Sequence, residues 1–459
     1  MNLSLRKRIV ALLFILVISF TVRALTANFI RAHLNDPAWF QFGSYAVFDV
    51  SARDILDGKQ PLFWISDPSR TDRIVYPPGY TLWLAFIYKV TGVRSAVAVQ
   101  YVQTVLDSIA VLLIVGIGVS AFSWSVGLIA GTLAALSPLL AFAGATPNAD
   151  APTTWVVLGG AWCLVIAIKR SKIPYAIFAG ALLGLACWFR LNPLFLFLPW
   201  AVVLALLVRG VWRKRIIFAA ALALASLLVI APVVIRNVGI FYPQIAPTGL
   251  GFGWNLLAGI GETERGPEFG APCCDAEMIE QDRRAMNAPT DAEVGLYFPD
   301  GIHRDRDRGK RALNIMAHHP LWFAGVVGRR MAGHLKYFGD PAPHLGTAGI
   351  NVTSAKTLSP ARHGGVAGFL VNVLGGIQSV LRTVVLPLML IGIVIAWRRD
   401  WRMTALLLVT VVYYLFTLGI GHSEIRYGLP MQVLLLVFAA VTVDAIACWV
   451  RRRAIARTD

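Results

Sequence analysis

The chain has 459 residues, 57% of them hydrophobic and 15% charged, with a mean hydropathy of +0.65. This balance excludes a soluble globular protein, and several apolar runs reach the roughly 20 residues needed to cross a bilayer. The net charge of +17 does not signal nucleic-acid binding. The basic residues sit in short clusters at the ends of apolar runs, at Arg6–Arg8, Lys169–Arg170, Arg213–Arg215, Arg398–Arg399 and Arg451–Arg453, as the positive-inside bias places them.

The first basic cluster leads into an apolar stretch from Ile9 to Ile30 with no small-x-small site after its core, which reads as a retained anchor. Further spans are predicted at Val97–Val119, Val126–Phe142, Thr154–Ile168, Tyr175–Trp188, Leu194–Val208, Ile216–Val234, Val384–Trp397, Ala405–Ile420 and Val433–Val450. Apolar segments at Tyr80–Thr91, Leu321–Leu335 and Val366–Leu381 are short or interrupted, and read as interfacial, re-entrant or additional spans. The expected fold class is an all-α polytopic transmembrane bundle of about ten spans, or roughly eleven to thirteen if those segments also cross.

An even count with cytoplasmic termini puts every basic cluster inside. The Asp49 segment, the Asp150 loop, Asn237–His363 and the loop at 422–430 then lie outside, in an inner-membrane, multi-pass arrangement with an external or periplasmic site. The expected organisation is an N-terminal transmembrane module at 1–236 with a first external loop at 31–95, an external cap at 237–365, and C-terminal transmembrane helices at 366–459. The cap is the one long stretch of soluble-like composition, and its length is uncommon for a featureless loop.

Within Tyr45–Leu56, Tyr45, Phe48, Ala52 and Ile55 or Leu56 recur at helical spacing, and Gly58 suits the C-cap. Asp54 and Asp57 fall off that stripe. Asp49 lies close to it, where a carboxylate requires either a role or a partner such as Arg53 at i+4. In "SPLLAFAGATPNADAP", Pro, Gly and Asn break the chain before Asp150, which is either an N-cap or a second functional acid. Arg190, Arg236, Arg329, Arg330 and Arg426 lie on the external side against the charge bias, and arginine grips phosphate bidentately. Asp107 and Asp444 are the ionisable exceptions inside predicted spans. "GLGFGWNLLAG" at 249–259 is weak as a nucleotide loop, lacking a preceding strand. Cys163, Cys187 and Cys448 lie in apolar runs. Cys273 and Cys274 are adjacent in a polar loop, read as two ordinary thiols with a strained vicinal disulfide as the alternative, and lack metal-ligand spacing.

Four landmarks in order then carry a resemblance: "DVSARDILDG…YPPGYTLWLAFIYKVTG", "SPLLAFAGATPNADAP", "APVVIRNVGIF…GFGWNLLAG" and "EIRYGLP", joined by "ALNIMAHHPLWFAGVVGRR". On these the chain resembles the GT-C superfamily of polytopic glycosyltransferases, in particular the bacterial branch related to protein O-mannosyltransferases and the aminoarabinose transferase of lipid A. The resemblance implies an inverting membrane glycosyltransferase that takes a hexosyl or pentosyl group from a polyprenyl-phosphate donor, with a lipid, glycan or protein of the envelope as acceptor.

It implies Asp49 as base and Asp150 as a second catalytic acid, with Tyr45, Arg190, Arg236, Asn255, Arg329, Arg330, Arg426 and Tyr427 binding substrate. The family often has an acid three residues before an aromatic. Here Ser44 and Tyr45 occupy that region and Asp49 directly follows Phe48, so Asp36 and Asp54 stand as alternatives. No metal ligand or cofactor is assigned, and a divalent cation is left open. The competing reading is a transporter or flippase of lipid-linked sugars, or a non-catalytic envelope-assembly protein.

Overall fold

A computed structural model of the chain describes residues 4–31, 42–59, 71–244, 248–335, 365–422 and 424–456. Among them the architecture is helical, with no strand.

The first helix, α1 (Leu5–Arg31), is apolar around most of its circumference. After it, α2 (Phe42–Leu56) buries Tyr45, Phe48 and Ala52, the stripe expected from their spacing. It stops where Gly58 takes φ +70° and the Lys59 N–H bonds back to the Asp54 carbonyl. A 3₁₀ turn at Thr71–Ile74 leads into "YPPG" and α3 (Gly79–Thr91), which packs on α2.

Next come α4 (Ala96–Ala121), α5 (Trp124–Leu136) and α6 (Pro138–Ala145). The last two are bent by 61° at Ser137, because Pro138 cannot continue the hydrogen-bond ladder and Ser137 caps α6 through the Leu140 N–H. α7 (Asp150–Arg170), α8 (Ile173–Phe189), α9 (Phe197–Leu207) and α10 (Trp212–Phe241) follow, with α8 packed on both α7 and α10 and α9 packed on α10; then come α11 (Phe252–Gly261), α12 (Asp275–Ala285), α13 (Gly301–His318) and α14 (Pro320–Leu335). α15 (Gly365–Arg399), α16 (Trp401–Ile420) and α17 (Leu429–Ile455) complete the bundle, with α17 buried along most of its length against α5 and α15.

Among the described residues, six helices are long and apolar enough to cross a membrane, or up to eight if the bent α5–α6 and α15 pairs each count as one span. The expectation of about ten spans included α8 and α9, which are 17 and 11 residues long. A helix rises about 1.5 Å per residue, so neither alone reaches across a hydrocarbon core of about 30 Å.

Two ends can be told apart. Arg8 stacks on Trp124 at the start of α5, and Lys169 at the end of α7 donates to the Ala121 carbonyl at the end of α4. The start of α1 therefore shares the basic end with the α4–α5 turn. Within the bundle, Arg23 of α1 pairs with Asp107 of α4 at 2.5 Å and donates to the Ala135 carbonyl, while the Trp155 indole donates to Asp107 at 2.6 Å. These contacts join α1, α4, α5 and α7 and satisfy a charge that is costly in apolar surroundings. Asp444 is likewise paired, with Arg399 at 2.7 Å.

Candidate functional site

Asp150 opens α7 at the end remote from Lys169. Its carboxylate faces Arg190, the first residue beyond α8. Arg190 Nε lies 3.0 Å from Oδ1, and Nη2 donates to Oδ2 at 3.2 Å and to Asn148 Oδ1 at 2.9 Å. Arg426 comes from the turn between α16 and α17. Its Nε lies 3.7 Å from Asp150 Oδ2, the oxygen that Arg190 Nη2 also reaches, and is hydrogen-bonded to Glu424. Both guanidinium groups lie over the Tyr427 ring, at 5.6 Å for Arg190 and 5.4 Å for Arg426, and Arg190 also lies 6.0 Å from the Tyr76 ring. Asp150, Arg190 and Glu424 are all buried. Buried charges persist only when paired and hydrogen-bonded.

The network continues to the end of α11. His422 Nε2 lies 3.3 Å from Glu424, and Nδ1 lies 2.5 Å from Glu262 at the end of α11. Burial disfavours a charged imidazole, but the two carboxylates outweigh it and push His422 up to about 9. Burial likewise opposes ionisation of Glu424, yet Arg426 and His422 hold it down to about 2. Three cations (Arg190, Arg426, His422) thus face three carboxylates (Asp150, Glu424, Glu262).

Asn255 fixes the junction by a backbone route: its carbonyl accepts the His422 N–H at 2.7 Å. A Cβ at Gly421 would fall 1.7 Å from Asn255 Oδ1, so a side chain there would force the Asn255 amide aside.

The glycines at 249–253 have a structural reason. The Asp305 carboxylate on α13 accepts the N–H groups of Gly251, Gly253 and Trp254 at 3.1, 3.2 and 2.9 Å. It fills the anion-binding end of α11 that a nucleotide phosphate would use. A Cβ at Gly253 would fall 1.7 Å from the Asp305 carbonyl oxygen, which explains the absence of a side chain at this crossing.

Asp49 has separate surroundings. Tyr88 Oη donates to Oδ1 at 2.5 Å and Arg53 Nε to Oδ2 at 3.0 Å, while Tyr45 Oη and Tyr88 Oη lie 2.7 Å apart. Burial raises Tyr45 to about 12. The Asp49 side chain retains 19% exposure, against 5% for Asp150. Tyr80 runs between the two regions: Phe48 packs edge-on to its ring, and its hydroxyl donates to Gln103, whose amide donates to the Asn148 carbonyl at 3.1 Å.

The other sequence candidates are spread over the same end. Arg330 is buried, and its guanidinium donates to the carbonyls of Gly259 and Gly419, where α11 and α16 end. Arg329 on the next position is exposed. Arg236 is buried and donates to Asn237 at 2.7 Å. Asp54 faces Lys59 at 3.9 Å, and Asp36 lies outside the described residues. The structure therefore joins Asp150, Arg190, Arg426 and Tyr427 in one cluster, with Asn255 at its edge, and places Asp49 and Tyr45 in a neighbouring one. Sequence reasoning passed over Asn148, Glu262, His422 and Glu424. The last two stood in a loop already singled out, two residues apart and beside an arginine.

Residues 75–235 match the family model described as dolichyl-phosphate-mannose-protein mannosyltransferase. No curated protein matches the sequence. The solved archaeal oligosaccharyltransferase AglB from Archaeoglobus fulgidus, in complex with an inhibitory peptide and a dolichol-phosphate, superposes with a TM-score of 0.53 at 14% identity, covering 99% of this chain and 52% of that one. The apo oligosaccharyltransferase of the same organism gives a TM-score of 0.52 at 15% identity over 98% of this chain and 52% of that one. The present chain thus spans about half the length of these archaeal chains. A looser likeness, with a TM-score of 0.34 at 14% identity over 87% and 73% of the two chains, is to ArnT from Cupriavidus metallidurans bound to undecaprenyl phosphate.

Proposed function

We infer that this chain, which has the GT-C fold of polytopic membrane glycosyltransferases, transfers a sugar from a polyprenyl-phosphate-linked donor to an envelope acceptor. The observation that carries the reading is the pair of guanidinium groups, buried Arg190 and half-buried Arg426, over the ring of Tyr427 and held by Asp150 and Glu424. Two adjacent planar donors form a cradle for a phosphate. Their position at the end of the bundle suits a substrate that enters from the lipid.

In this mechanism the donor phosphate lies against Arg190 and Arg426. The acceptor hydroxyl gives its proton to the Asp49 carboxylate as its oxygen bonds to the anomeric carbon. The bond from that carbon to the phosphate oxygen breaks, and the lipid phosphate leaves with the bonding pair. The arginines stabilise the negative charge that gathers on it, and the single displacement inverts the anomeric centre. Asp49 suits the base because it retains solvent access, whereas Asp150 is enclosed by its arginines and positions them. The gathering of basic residues at the opposite end supports an external site with cytoplasmic termini in a bacterial inner membrane.

The test is transfer by purified protein in liposomes supplied with a polyprenyl-phosphate sugar and candidate lipid, glycan or peptide acceptors. Asp49→Asn is expected to lower the rate about 10²- to 10⁴-fold. Wild-type turnover in that variant rejects Asp49 as base. Translocation of the donor without transfer replaces the enzyme reading with a flippase.

A further inference from the structure

Adjacent cysteines lack the intervening residues of the usual metal-binding loops, so spacing alone gives Cys273 and Cys274 no partner. The fold supplies one. Cys274 is the N-cap of α12, with an extended backbone at φ −154° and ψ 167°. Glu277, in the first turn of that helix, reaches back to accept the Cys273 N–H at 2.8 Å. This brings one carboxylate oxygen and both sulfurs within 4.8 Å of one another. Both cysteines are free thiols, and all three residues are exposed on the cap.

The structure assigns this cluster as a surface site for a thiophilic divalent cation such as Zn²⁺ or Cd²⁺, held by Cys273, Cys274 and Glu277 with water as fourth ligand. Donors in a tetrahedral Zn²⁺ site, at about 2.3 Å for sulfur and about 2.0–2.2 Å for oxygen, stand about 3.5–3.8 Å apart. Binding therefore requires side-chain rotation that draws the observed cluster closer by about 1 Å. Two sulfur donors select against Mg²⁺ and Ca²⁺, which take all-oxygen sites. On binding, two metal–sulfur bonds form and two thiol protons pass to solvent, while the carboxylate coordinates without a proton change. Asp275, next along the chain, accepts the Trp254 indole N–H at 3.0 Å, and the Trp254 ring lies 5.1 Å from the His422 ring. A bound cation therefore stiffens the cap at its contact with the arginine network.

The test uses the reduced full-length protein in micelles, titrated with Cd²⁺ and followed by the sulfur-to-metal charge-transfer absorbance. The expected result is one cation per chain, displaced by Zn²⁺ but not by about 100-fold more Mg²⁺, with close to two protons released per cation. The Cys273→Ser/Cys274→Ser double variant is expected to lose the band. Glu277→Gln should keep it with about tenfold weaker binding, and Cys448→Ser, which removes a different exposed thiol, should bind as wild type. No band in the wild type, a band retained in the double variant, equal competition by Mg²⁺ or unchanged affinity in Glu277→Gln overturns the assignment.

Discussion

Replacing Asp150 with Asn removes one negative charge from the centre of the arginine network with little change of shape. Arg190 Nε sits 3.0 Å from the carboxylate, and side-chain exposures are 10% and 5%. At an effective dielectric of about 20, a contact at that distance is worth about 5 kcal/mol before desolvation. Breaking a buried pair from one side typically costs about 3–5 kcal/mol. The variant leaves Arg190 with Asn148 as its polar contact, while Arg426 keeps Glu424. The loss should therefore fall mainly on Arg190. Arg190→Gln is milder, at about 1–3 kcal/mol, because Asp150 still has Arg426 at 3.7 Å. The double variant should recover about 2–3 kcal/mol of the summed losses. Equilibrium unfolding in mixed micelles gives all four corners of the cycle. Strict additivity, or Asp150→Asn within about 0.5 kcal/mol of wild type, would refute the coupling on which the cluster is built.

Further outcomes follow from the same contacts. His422 rises from 6.5 to about 9 on folding, so its contribution, on the order of 3 kcal/mol, is fully present below about pH 6.5 and lost as pH rises through about 9. Hydrogen exchange of α11, corrected for intrinsic rate, should accelerate over that window, and Glu262→Gln should flatten the change; equal protection at both limits contradicts it. Glu424 acts in the opposite sense: its contribution is full above about pH 4.5 and is lost as pH falls through about 2. Asp305→Ala strips three N–H groups of their acceptor and should cost about 2–3 kcal/mol, with raised exchange confined to the start of α11. Gly421→Ala forces Asn255 aside and should destabilise by at least about 1 kcal/mol; an unchanged unfolding midpoint would remove the tight junction.

The helical character of the chain was legible because apolar runs report burial directly. The count was less so. Tyr175–Trp188 and Leu194–Val208 look like spans by hydropathy, but the backbone breaks around Arg190, Pro193 and Gly210 leave helices of 17 and 11 residues. The phase of α2 followed from Tyr45, Phe48 and Ala52, and the Asp49–Arg53 contact from their i+4 spacing. By contrast, Glu262 carries no periodic signal, and its partner His422 lies 160 residues away in sequence. Only folding makes them neighbours. Arg330 showed the limit of reasoning from sidedness: an arginine at this end can serve two helix C-termini, as its contacts with the Gly259 and Gly419 carbonyls demonstrate.

The phosphate cradle is tested most directly by the release of polyprenyl phosphate from a polyprenyl-phosphate sugar in liposomes containing wild-type protein, Arg190→Gln or Arg426→Gln. Arg426→Gln, checked by unfolding to be intact, should weaken donor use by at least about 100-fold, consistent with the loss of a charge-assisted contact to the leaving group. Wild-type rates in both arginine variants would contradict the account.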